Sequence, residues 1–71
     1  MRYLVIVERS GSSWGAHVPD LPGCVAVAET KSKVITLIRE AVDLHIDGLK
    51  RSGDRIPKPS CESLFVETDA A

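Results

Sequence analysis

Apolar and polar positions alternate in the first third of the chain and then change to a helical period. In residues 2–8, "RYLVIVE", Tyr3, Val5 and Val7 fall on one face of an extended backbone, and Leu4 and Ile6 on the other. Apolar side chains on both faces predict a strand inside a sheet, covered on both sides. "SGSS" at residues 10–13 reads as a hairpin loop. Residues 14–18 follow, with Trp14, Ala16 and Val18 alternating against Gly15 and His17. After Pro19-Asp20-Leu21-Pro22-Gly23-Cys24 comes a third short strand, residues 25–29, which completes an antiparallel meander.

From Val34 to Lys50 the period becomes 3.6. Side chains placed at about 100° per residue separate without exception. Val34, Ile35, Leu37, Ile38, Ala41, Val42, Leu44, His45, Ile46 and Leu49 lie on one side, and Thr36, Arg39, Glu40, Asp43, Asp47 and Lys50 on the other. The apolar arc spans roughly 200°, about twice the stripe a helix needs to face one core. Its flanks, Ile35 and Ile46 on one side and Leu44 on the other, are therefore candidate contacts with a second chain. Thr30 is placed to cap the helix, and Ser52-Gly53 to end it. Lys31 and Lys33 put positive charge at the positive end of the dipole, so packing rather than electrostatics must hold the helix.

"IPKP" at residues 56–59 predicts a stiff extended connection, and "SLFVE" at residues 63–67 a final strand, with a frayed tail at about 68–71. The expected fold is α+β, ordered β-β-β-α-β. A right-handed crossover brings the fourth strand to the free edge of the first, parallel to it, in sheet order 3-2-1-4. One long helix then covers one sheet face and leaves the other partly open, an interaction surface by default.

Length sharpens this picture. The 71 residues allow a single domain, 1–71, with no separate DNA-binding domain. A core this small is marginal alone, so a homodimer or higher oligomer is expected. Composition is that of a globular chain, 44% hydrophobic and 27% charged. Nine Lys and Arg against ten Asp and Glu give a formal net charge of −1, which argues against direct nucleic-acid binding. The basic positions Lys31, Lys33, Lys50, Arg51, Arg55 and Lys58 are interrupted by acids and read as solvated ends. No signal peptide and no apolar run of about 20 residues is visible, so a cytoplasmic protein without membrane attachment is expected. Cys24 and Cys61, with no CxxC spacing, read as reduced small apolar side chains rather than a disulfide or metal pair.

Glu8, Asp20 and Glu29 lie on or beside strands; Asp43 and Asp47 are neighbours on the solvent side of the helix. No spacing draws several carboxylates into one pocket, as metal-dependent nucleases require. His45 lies near the centre of the apolar arc and reads as a neutral core histidine. His17 stands opposite the face of Trp14, and both are candidate contacts. No catalytic residue, metal site or cofactor is assigned. In the loop, Pro19 ends strand pairing, Pro22-Gly23 has the type II turn signature, Asp20 can bond to backbone N–H groups two residues on, and Leu21 packs at the sheet end.

"VPDLPGC" after a Trp-containing strand, then "VAVAET", a helix with "LIREAVDLHIDGL" and an "IPKP" exit, closely resembles the HicB-like antitoxin family from Tyr3 to about Val66. The chain departs from the family pattern at Ala28, where Gly is frequent, and at Lys31-Ser32-Lys33, where the first turn is usually acidic. The resemblance implies a truncated ribonuclease H-like fold without a working nuclease site. It also implies a non-enzymatic protein that binds a small basic HicA-like toxin and masks its mRNA-cleaving active site. Many relatives carry a DNA-binding domain after this unit, and operator binding is not expected of this chain. Two other readings stay open: an orphan oligomerising domain with no toxin partner, and a minimal ribonuclease H-like nuclease.

Overall fold

Strand β1 (Ile6–Ser10), strand β2 (Ser13–His17), strand β3 (Val25–Ala28) and helix α1 (Lys31–Ser52) follow one another along the chain in the computed structural model. The structure describes residues 1–70; Ala71, the end of the expected tail, lies outside them. β1 and β2 pair antiparallel, from Ile6 opposite His17 to Ser10 opposite Ser13, and Gly11 at φ 59 supplies the left-handed residue of the two-residue turn. β2 and β3 pair antiparallel, from Trp14 opposite Ala28 to His17 opposite Val25.

Of two expectations about strands, one needs correction and the other is not shown within the single chain. The first strand was expected at 2–8, but its ladder runs over Ile6–Ser10. β2 supplies no partner beyond His17, because Val18 enters the turn and Pro19 has no N–H to donate. The second concerns residues 63–67, expected as a fourth strand parallel to the first. Among the described residues the sheet has three strands in the order β1-β2-β3, and 63–67 forms no ladder within the single chain. An open cleft of about 600 Å³ is lined by Arg2, Tyr3 and Leu4 together with Cys61, Glu62 and Ser63.

The core forms where α1 crosses one sheet face. Ala16, Val18, Leu21, Cys24, Val34 and Ile38 are buried there, and Tyr3, Val5, Val7, Trp14, Ala26, Ala28, Ile35, Ala41, Val42 and Ile46 pack around them. At 1.5 Å per residue the 22-residue helix is about 33 Å long, roughly twice the 13–17 Å of the paired strands. The sheet therefore buries only the first half of the apolar arc. Met1 and Tyr3 flank part of the second half, beside Val42 and Ile46. His45, expected in the core, is half-buried beyond it.

Both helix ends are closed by their own residues. Thr30 is extended at φ −128, ψ 156, and its hydroxyl oxygen accepts the Lys33 N–H at 3.2 Å. Gly53 at φ 71 donates to the Lys50 carbonyl, and Asp54 N–H to the Leu49 carbonyl, the paired bonds of a Schellman end. The first turn holds no acid, so the Thr30 cap has no electrostatic support. Thr30→Ala is expected to lower stability by about 1 kcal/mol. The check is a lower urea midpoint with an unchanged slope.

Candidate functional site

The connection from β2 to β3 is two β-turns in series. Leu21 N–H donates to the Val18 carbonyl at 3.0 Å, Cys24 N–H to the Leu21 carbonyl at 3.0 Å, and Val18 N–H to the Cys24 carbonyl at 3.1 Å. Pro22 and Gly23 occupy the centre of the second turn, with Gly23 at φ 85. Between the turns Leu21 points inward and is completely buried, the deepest large side chain together with Val34 and Ile38. The loop is thus a wall of the core as well as a link between strands.

Asp20 does not bond to its own turn. The residue two positions on is Pro22, which has no N–H to offer. Its carboxylate reaches across 40 residues of chain instead. Asp20 Oδ2 accepts the Ser60 N–H at 2.9 Å and the Cys61 N–H at 3.1 Å. Oδ1 accepts the Ser60 hydroxyl at 2.7 Å and the Cys61 thiol at 3.4 Å. Four donors favour the charged carboxylate, led by the Ser60 backbone N–H, and hold the Asp20 pKa down to about 2. The same contact pushes the Cys61 thiol up, and burial does so for Cys24. Neither cysteine is therefore an activated nucleophile. Tyr3 hydroxyl donates to the Pro57 carbonyl, so the segment leaving α1 is fastened twice before residue 62.

The sheet face away from α1 is uncovered. Ile6, His17 and Val25 form one row across it, and Glu8, Gly15 and Val27 the next. Val25 and Val27 are 63% and 69% exposed. Gly15 has no side chain, and its nearest neighbour in the direction of a Cβ is the Ala26 carbonyl at 3.9 Å. The result is a shallow dent lined by Glu8, Gly15, His17, Val25 and Val27, apolar at one rim and able to exchange hydrogen bonds at His17 and Glu8.

The five candidate contact residues do not share one surface. Trp14, Ile35 and Ile46 pack partly against the core, on the helix side of the sheet. Lys31 Nζ stands 5.9 Å from the Trp14 ring centroid, near the outer limit of a cation–π contact, and so gives one of the unfavourable first-turn lysines a partner. His17 belongs to the open face, and Leu44, 72% exposed, lies one heptad after the exposed Leu37 on the outer side of α1. Sequence reasoning missed Ser60 and Cys61 as partners of Asp20, although Pro22 already denied Asp20 its local bond. It also missed Val25 and Val27, whose alternation does not say which face the helix takes. Among the described residues no three His, Cys, Asp or Glu side chains gather to hold a metal ion, and no helix is long and apolar enough to cross a membrane.

A UPF0150 protein, Ta0767, of Thermoplasma acidophilum is 33% identical over 67 residues, covering 93% of this chain and 97% of that protein. An uncharacterized 14.9 kDa protein from the rep-hol intergenic region of Haemophilus phage HP1 is 31% identical over 66 residues. The chain spans about half the length of that phage protein. No solved structure gives a significant match. The family model for the HicB-like antitoxin of bacterial toxin–antitoxin systems matches residues 3–69, nearly the whole chain, and the chain belongs to that family.

Proposed function

We propose that this chain is a non-enzymatic antitoxin that holds a small basic toxin of the HicA type and masks its mRNA-cleaving site. The observation that carries the reading is the family match over residues 3–69. The uncovered sheet face supports it, because Val25, Val27 and Ile6 offer apolar contact around the polar pair His17 and Glu8. A near-neutral chain suits a basic protein partner better than a polyanion, so the chain itself makes no direct contact with nucleic acid. Such a pair would act in the cytoplasm, where mRNA is translated.

Co-expression tests this reading. Induction of a small basic HicA-type toxin from the same genome is expected to arrest growth, and co-expression of this chain to restore it. Equal arrest with and without the chain rejects the antitoxin role.

The chain is also proposed to self-associate, with 63–67 completing a ribonuclease H-like sheet as a fourth strand. A compact monomer of 7.7 kDa exposes about 4,300 Å², whereas this chain exposes 5810 Å², an excess of about 1,500 Å². Each partner in a standard interface buries about 800 Å², so the excess is ample for a stable dimer.

A further inference from the structure

We infer that residues 63–67 of one copy pair with the free edge of β1 and the extended stretch before it in a second copy, the two copies exchanging these segments reciprocally. The inference rests on the self-association proposed above and names the element that would produce it.

Two deficits within one chain match each other. The first is the tail. Leu64, Phe65 and Val66 are 81%, 99% and 77% exposed, three consecutive large apolar side chains with nothing over them. The radius of gyration, 14.2 Å, exceeds the roughly 11 Å of a compact chain of this length, and the long axis reaches 50 Å. The tail thus stands away from the body rather than lying on it. The second deficit is the sheet edge. β1 is hydrogen-bonded to β2 on one side only, and residues 2–5 have no ladder partner on either side. Yet residues 3–7 are apolar on both faces, the composition of an interior strand.

The anchors explain why the two do not meet in one chain. Asp20 holds Ser60 and Cys61, and Tyr3 holds Pro57, so the chain is aimed before residue 62. Residues 61–63 line an open cleft together with residues 2–4 and form no ladder with them. A second copy brings an identical β1 edge, and the exchanged strand takes there the place and direction that it lacks at home. Edge N–H and C=O groups become paired in both copies, and the three apolar side chains leave water. β3 has a free edge too, but it is only four residues long and is preceded by the turns of the loop rather than by an unpaired extended stretch.

The test uses the full chain. Sedimentation velocity is expected to give twice the chain mass, and Phe65→Asp to reduce it to one chain with the helical circular dichroism retained. A sample mixed from differently isotope-labelled copies is expected to show contacts between residues 63–67 of one copy and 2–7 of the other. This second measurement is made on the native sequence and holds even where the variant fails to fold. A dimer unaffected by Phe65→Asp, or contacts confined to one copy, overturns the exchange while self-association stands. A monomer at every concentration overturns both.

Discussion

Leu21→Ala is expected to remove about 2–5 kcal/mol of stability, the range for truncating a buried leucine where neighbours close the gap only in part. Leu21 is fully buried between two turns whose three backbone hydrogen bonds hold its position, so collapse around the gap is restricted. At about 0.05–0.15 kcal/mol per residue a chain of this length is stable by only about 4–10 kcal/mol. The substitution therefore removes a large share of the total, and a loss near the top of its range unfolds most molecules if the total is near about 4 kcal/mol. Urea unfolding at fixed protein concentration measures the loss. Leu44→Ala, on a side chain 72% exposed, serves as the comparison and is expected to change stability by no more than about 0.5 kcal/mol. Equal losses at the two positions would remove the loop from the core.

Asp20→Ala is expected to release the chain at Ser60 and Cys61 without unfolding the sheet or α1. The Ser60 and Cys61 amides lose their acceptor, and their hydrogen exchange rises to that of an unstructured peptide, while amides of β2 and α1 keep their protection. The native protein should show the same release in acid. The Asp20 pKa is lowered by folding, from 3.8 to about 2, so the folded state binds the proton more weakly than the unfolded one. Its contribution is complete above pH 3.8 and is lost as the pH falls toward about 2. Chemical shifts of the Ser60 and Cys61 amides should follow that titration in the native chain. In Asp20→Ala they should show no step in that window, which separates Asp20 from the other carboxylates.

Local chemistry explains how much could be read in advance. Thr30, Gly53 and Pro22-Gly23 each meet a backbone requirement set by their immediate neighbours, and the apolar period of residues 34–50 marks α1 directly. The α+β class and the three-stranded antiparallel meander follow from such signals. The extent of β1 did not, because a ladder runs only where the partner strand continues, and β2 stops at His17. The fate of 63–67 depends on a partner edge, and alternation does not reveal whose edge it is. The arc on α1 was seen at its full width, but its division between core and solvent depends on how far the sheet extends beneath it. That length is a property of the assembled sheet. Asp20 was read as a hydrogen-bonding residue, but its donors lie 40 residues away, beyond any local rule.

The two connections within the meander differ as places where the chain could grow. The Gly11-Ser12 turn is exposed, fills nothing and could lengthen at little more than the small entropy of a larger closed loop. The link between β2 and β3 has no such freedom, because an inserted residue would lift Leu21 from the centre of the core. Tags and epitopes therefore belong at the first hairpin, and an insertion in the second connection is expected to destabilise the core.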